Sequence, residues 1–184
     1  MTDPRPGPKP MSGTVPADRP LDLTGIYRSE LGYVWKTLRR LGAPTPDLED
    51  LAHDVFVVVH RHLGDYDPGR PLRPWLFGIA LRVLSDFRRL GRTQREIPGE
   101  RLEPVDAAPS PHEQAEGREA RELLMRALAT LDLDQRAVFV MHEIDEVPVP
   151  EIAGTLAIPL NTAYSRLRLA RASLADWLGR KAAR

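Results

Sequence analysis

The chain has 184 residues, no cysteine, and 26 basic against 26 acidic side chains. That excludes disulfide scaffolds and thiolate metal centres, and it fits a reducing compartment. No run approaches the roughly 18 consecutive apolar residues of a membrane span, and no apolar leader opens the chain, so a soluble, cytoplasmic protein is expected. The charge balance hides an uneven distribution. Residues 166–184 carry six bases and one acid, a net of +5, whereas residues 93–116 carry two bases and six acids, a net of −4. Basic surface next to an acidic connector suits a nucleic-acid binder.

Residues 1–20 contain Pro4, Pro6, Pro8, Pro10, Pro16 and Pro20 with almost no large apolar side chain, the composition of a disordered tail. A helix is expected from Asp22 to about Leu41, with Ile26, Val34, Leu38 and Leu41 facing inward and Gly42-Ala43-Pro44 ending it. Thr45 as N-cap and Pro46 as first helical residue would start the next helix. Its apolar residues Leu48, Leu51, Ala52, Val55, Phe56, Val59 and Leu63 recur at steps of three and four, the cleanest amphipathic pattern in the chain. The acidic start at Asp47, Glu49 and Asp50, with Asp54 a turn later, is favourable at a helix N-terminus through the dipole; it would also serve as a docking face for a basic partner.

Gly64 to Arg73 is a Gly- and Pro-rich loop with Tyr66, Arg70 and Arg73. Tyr66 either closes over the core or stacks on an unpaired base, a contact worth about 1–3 kcal/mol. A third helix from about Pro74 to Leu90 buries Leu76, Ile79, Ala80, Val83, Leu84 and Phe87 and turns Arg82, Ser85, Asp86 and Arg89 outward, with Arg88 at the flank. After an aperiodic stretch punctuated by Pro98, Gly99, Pro104, Pro109 and Pro111, a second helical set follows: Glu113 to Leu131, then Asp134 to about Glu143 with Ala137, Val138, Val140 and Met141 inward.

The stretch Pro150 to Arg171 reads as two short helices joined by a tight turn. Ile152, Ala153 and Leu156 share one face of the first. Pro159 disfavours helical geometry at Ile158, and Asn161 is expected to cap the second helix. There Ala163, Leu167, Ala170 and Leu174 fall on one side, and Asn161, Ser165, Arg168 and Ala172 on the other, flanked by Tyr164 and Leu169. A short polar and basic face after a tight turn is what a major-groove recognition helix needs.

No catalytic constellation is visible. The histidines, His53, His60, His62, His112 and His142, form no HExxH motif, and there is no phosphate-binding glycine loop and no nucleophile elbow. The expectation is a non-enzyme with no metal and no cofactor.

Three segments carry a family resemblance: DLEDLAHDVFVVVHRH (Asp47 to His62), RPWLFGIALRVLSDFRR (Arg73 to Arg89) and TLDLDQRAVFVMHEIDEVPVPEIAGTLAIPLNTAYSRLRLAR (Thr130 to Arg171). In this order and spacing the chain resembles a bacterial sigma-70-type RNA polymerase sigma factor of the extracytoplasmic function group. The resemblance implies an all-α fold of two small helical domains, sigma-2-like (21–92) and sigma-4-like (113–180), joined by a flexible acidic linker (93–112) behind the tail (1–20). It implies a transcription initiation factor that binds core RNA polymerase, directs it to promoters and assists melting. By the same resemblance Asp47, Asp50, His53, Asp54 and Val57 face the clamp helices of the β′ subunit, and the Asp134 to Glu143 region faces the β flap. Tyr66, Arg70, Arg73, Arg82, Ser85, Asp86, Arg88 and Arg89 would serve the −10 element and melting. Asn161, Thr162, Tyr164, Ser165, Arg166, Arg168, Leu169 and Arg171 would serve the −35 element. An anti-sigma factor is an implied further partner.

Three departures stand out. Many relatives read IARN where this chain has Ile79-Ala80-Leu81-Arg82, so an Arg stands in place of Asn at a base-proximal position. Tyr164 and Leu169 occupy positions where a basic residue is common, which favours a more apolar reading of thymine methyl groups. Ala157 sits where Gly often makes the turn. The alternative is a stand-alone helix-turn-helix regulator, and the whole extra domain with its own basic helix argues against it. So does reach. Two sites two helical turns apart are about 70 Å apart, a 24-residue linker spans about 27 Å when relaxed, and each domain is about 25–30 Å across. A larger partner would have to hold the domains apart.

Overall fold

The computed structural model describes residues 22–94 and 115–182; the expected tail and residues 95–112 of the expected linker lie outside the described residues. The described residues form seven α-helices and no strand: α1 (Leu23–Leu41), α2 (Leu48–His62), α3 (Leu72–Gln94), α4 (Ala115–Leu128), α5 (Leu133–Phe139), α6 (Val149–Thr155) and α7 (Leu160–Ala182). Two 3-10 turns, Thr45–Asp47 and Leu63–Asp65, flank α2, and a π-helical turn, Val140–Ile144, follows α5.

Helices α1, α2 and α3 pack together on the expected stripes. Val34, Leu38, Leu41, Leu48, Leu51, Val55, Val59, Leu76, Ala80 and Leu84 are all buried. Phe77 is also fully buried although it lies off the expected stripe, because α3 is covered by α6 as well as by α1 and α2. In the second half α7 packs on α5 and α6, and Val138, Met141, Ile152, Ala163, Leu167 and Ala170 are buried.

Several helix ends differ from the sequence reading. Thr45 does not cap α2; Thr45–Asp47 winds as a 3-10 turn after Pro44, and the α-helix starts at Leu48. Helix α3 begins at Leu72 and runs to Gln94, past both expected ends. Pro74 fits inside its first turn because a first-turn residue has no intrahelical acceptor for an N–H. Helix α4 ends at Leu128, short of the expected Leu131. Asn161 is not the cap of α7: the helix starts at Leu160, and the Pro159 carbonyl accepts from the Thr162 and Ala163 N–H groups at 2.9 and 3.1 Å.

The two helical halves touch. Helix α1 contacts α4 and α5, and α3 contacts α6. The Tyr33 hydroxyl of α1 donates to Asp145 Oδ2 at 2.8 Å, and Arg40 Nη1 donates to Asp145 Oδ1 at 3.2 Å. Arg136 Nη1 of α5 donates to the Leu41 carbonyl at 3.0 Å. Gly42 ends α1 in the left-handed region, φ 86°, and the Ala43 N–H reaches back to the Leu38 carbonyl at 2.9 Å. This is the closing pattern that glycine supports best.

Candidate nucleic-acid interface

The second half presents a helix-turn-helix. Helix α6 ends through Ala157, which adopts φ 51°, with the Ile158 N–H bonded to the Ala153 carbonyl at 3.0 Å. A left-handed alanine costs about 1–2 kcal/mol, so the position the sequence marked as lacking its glycine is strained. The turn aims α7 so that its buried line of Ala163, Leu167 and Ala170 seats on the domain. Asn161, Tyr164, Ser165, Arg168, Leu169, Arg171 and Ala172 are left exposed, and Thr162 and Arg166 are half-buried.

Not every base on that helix is available to a ligand. Arg166 is paired with Asp134 of α5. Arg171 Nε donates to Glu143 Oε1 of the π-helical turn at 2.7 Å. Both pairs tie α7 to the elements beneath it. Arg168 is exposed, and among the described residues no acid or carbonyl holds it.

The first half repeats this division on α3. Arg73 Nε donates to Glu30 Oε2 at 2.9 Å, and its guanidinium lies 5.1 Å from the centre of the Tyr33 ring. That hydrogen bond raises the Arg73 pKa further above its ordinary value. Arg88 Nη2 donates to the Leu41 and Gly42 carbonyls, both at 2.9 Å, and so caps the C-terminus of α1. Arg89 pairs with Asp86 at 3.1 Å, and the Ser85 hydroxyl donates back to the Leu81 carbonyl at 2.7 Å. Arg82 is exposed and, like Arg168, has no intramolecular partner among the described residues.

In the loop before α3, Tyr66 is half-buried. Its ring packs 4.9 Å from Trp75 in a tilted arrangement, and its hydroxyl donates to the Arg70 carbonyl at 2.5 Å. Partial burial raises the Tyr66 pKa, so it remains a neutral donor. Arg70 lies 3.6 Å from Asp67. On α2, Asp50, His53 and Asp54 are exposed and Val57 is half-buried, as is Asp47 in the turn before it. Asp50, Asp54 and Val57 fall a turn apart on its outer side, opposite the buried Leu51, Val55 and Val59.

Comparison with known proteins decides what carries these faces. Residues 26–93 match the family model for sigma-70 region 2, and residues 121–174 match that for sigma-70 region 4. The chain is 32% identical over 148 residues to the RNA polymerase sigma factor CnrH of Cupriavidus metallidurans, covering 76% of this chain and 78% of that one. The chain belongs to the sigma-70 family of RNA polymerase sigma factors, in its extracytoplasmic function group. It is a transcription initiation sigma factor. The sigma factor SigL of Mycobacterium tuberculosis is 28% identical over 163 residues, covering 87% of this chain and 90% of that one.

Solved structures agree in fold. The structure of CnrH in complex with the cytosolic domain of CnrY overlays with a TM-score of 0.60 at 26% identity, covering 85% of this chain and 87% of that one. The sigma factor RpoE of Bartonella quintana, in complex with the anti-sigma factor NepR, overlays at 0.70 with 22% identity, covering 86% and 97%. In this sigma factor, no group of metal-ligating side chains occurs among the described residues, and no helix there is long and apolar enough to cross a membrane.

Sequence reasoning assigned arginines by face and could not separate those that brace the fold from those left open. It missed Arg136, Tyr33 and Asp145, which join the halves. The only signal for Arg136 was a base within the inward-facing stretch of α5.

Proposed function

We propose that this sigma factor works in the cytoplasm without catalysing a reaction of its own, joining core RNA polymerase to promoters through four faces. Asp47 and the outer line of α2, Asp50, His53, Asp54 and Val57, dock on the β′ clamp helices, and the Asp134 to Glu143 segment meets the β flap. Helix α7 enters the major groove of the −35 element, and α3 with the Tyr66 loop reads and opens the −10 element. The observation that carries this reading is that the outward face of each reading helix holds an exposed arginine without an intramolecular partner among the described residues, Arg82 on α3 and Arg168 on α7. An unengaged guanidinium can form a bidentate pair with a guanine edge.

Around Arg168, the exposed side chains of Tyr164 and Leu169 offer apolar contact to thymine methyl groups. Arg166 and Arg171 stand beside the backbone phosphates, held in register by Asp134 and Glu143. Tyr66 already lies against Trp75, so an extruded base would stack on a preformed aromatic pair. The solved relatives bound to CnrY and NepR support an anti-sigma partner for this chain as well.

The polymerase face is tested by exchanging Asp50→Lys and Asp54→Lys together and titrating core polymerase by fluorescence anisotropy. Both carboxylates are solvent-facing, so helicity is retained while core affinity falls at least tenfold. Unchanged affinity would reduce the acids to helix-dipole partners.

A further inference from the structure

The loop that carries Tyr66 is bonded mainly to itself. Asp67, Pro68, Gly69, Arg70 and Pro71 are all exposed. The Tyr66 hydroxyl donates to the Arg70 carbonyl, the Gly69 N–H to Asp67 Oδ1 at 2.9 Å, and the Arg70 N–H to the Asp67 carbonyl at 3.0 Å. None of these bonds reaches another element. Leu72 and Trp75 pack on the core and Pro74 is buried, but apolar burial is non-directional. Among the described residues, the first directed bond between the chain leaving the loop and the rest of its domain runs from Arg73 Nε to Glu30 Oε2 of α1, at 2.9 Å. Tyr33, a turn further along α1, backs the same guanidinium at 5.1 Å from its ring centre.

Glu30 adds little to stability where it stands. It lies on the buried line of α1, a turn after Ile26 and a turn before Val34, where every other buried residue except Thr37 is apolar. It is 9% exposed, and Arg73 is its one hydrogen-bond partner among the described residues. Taking a carboxylate out of water for a single partner that stays 62% exposed leaves little net gain. An apolar side chain in its place would pack on the same line without that cost. What Glu30 supplies is direction. Its bond fixes the rotation of the first turn of α3, and Trp75 stands two residues after Arg73 in that turn. The Tyr66 ring rests on Trp75 with ring centres 4.9 Å apart.

We infer that Glu30 is a positioning residue for promoter melting: through Arg73 it sets the first turn of α3, and with it the Tyr66–Trp75 pair that receives an extruded −10 base.

This role rests on the reading of the Tyr66 loop as the melting element. Glu30, Tyr33, Arg73, Trp75 and Tyr66 all belong to the first half, so the bond needs nothing from the second.

Two substitutions at one site separate positioning from packing, made in the full chain bound to core polymerase. Glu30→Met suits a helix and fills the buried line, but it offers Arg73 no carboxylate. Glu30→Gln keeps an oxygen that can accept from Arg73 Nε. Opening is followed by the fluorescence of 2-aminopurine in the −10 element at rising holoenzyme concentration, which separates the half-saturating concentration from the maximal opening rate. Glu30→Met should lower the maximal rate about tenfold, as a displaced reacting geometry does. Its half-saturating concentration should stay at the parent's value and its thermal midpoint at or above it. Glu30→Gln should keep most of the parent rate, and Tyr66→Ala should be at least as slow as Glu30→Met. Glu30→Met opening at the parent rate, with Tyr66→Ala slow, would overturn the positioning role and leave the loop reading standing. So would Glu30→Gln as slow as Glu30→Met, or a fall in thermal midpoint that accounts for the slower opening. Tyr66→Ala opening at the parent rate would instead overturn the loop reading, and the role of Glu30 with it.

Discussion

The outer faces of α3 and α7 carry several arginines each and use them in the same two ways. On α3, Arg73, Arg88 and Arg89 are engaged by Glu30, by the α1 carbonyls and by Asp86. On α7, Arg166 and Arg171 are engaged by Asp134 and Glu143. The surroundings of the open arginine differ. Arg82 has the polar neighbours Ser85 and Asp86, whereas Arg168 has Tyr164 and Leu169, which are 49% and 44% exposed. Counting bases on a helix face therefore overstates the charge available to DNA. The paired arginines tie each helix to the elements beneath it, and Arg82 and Arg168 are left open on the outer faces.

The substitution expected to cost most lies where the two halves meet. Gly42→Ala meets both a left-handed backbone and the Arg136 guanidinium, so a stability loss of about 2–4 kcal/mol in urea unfolding is expected. A loss below 1 kcal/mol would mean that neither constraint operates in solution. Next is the contrast within α7. Arg168→Ala should weaken binding to a matched −35 duplex by about 1–3 kcal/mol, leaving core binding unchanged. Arg166→Ala should weaken matched and scrambled duplexes alike and cost under about 1 kcal/mol of stability, as exposed ion pairs do. Competition binding with the two duplexes separates them, and equal discrimination by both variants would erase the distinction between brace and reader.

On α3, Arg82→Asn should change base preference in the −10 element by about 1 kcal/mol with no effect at −35, read by selection from a randomised promoter pool. An unchanged −10 preference would remove Arg82 from base reading. The smallest expected effect is at the turn. Ala157→Gly removes left-handed strain, offset in part by chain entropy, for a net gain of about 0.5–1 kcal/mol, visible as a higher unfolding midpoint. A lower midpoint would show that the strain is relieved elsewhere.

Much of the fold was legible because most helices bury one face. The 3.6-residue periodicity of α2 identified Leu51, Val55 and Val59, and the alternation in α7 identified Ala163, Leu167 and Ala170; all are buried. Phe77 escaped because α3 is covered on more than one side, and a single-stripe reading has no place for a second buried line. The start of α7 was misplaced by two residues because the Pro159 carbonyl opens the helix, so Asn161 needs no capping role. The contacts between the halves were invisible for a different reason. Tyr33 and Asp145 are 112 positions apart in sequence, and a tyrosine and an aspartate on amphipathic segments carry no periodic signature of their pairing. Arg136 reads as an ordinary charged residue until the α1 carbonyls it caps are in place.

As a sigma factor, this chain should give core polymerase its choice of promoter. The direct measurement is transcription in vitro from a mixed template pool with purified, sigma-free core polymerase, in the presence and absence of the chain. Core alone should give only non-specific initiation, and adding the chain should yield defined start sites downstream of a shared pair of −35 and −10 sequences. Arg168→Ala should weaken that selection through its −35 half. Start sites that do not depend on the chain, or a chain that binds duplex DNA but never changes where core initiates, would contradict it.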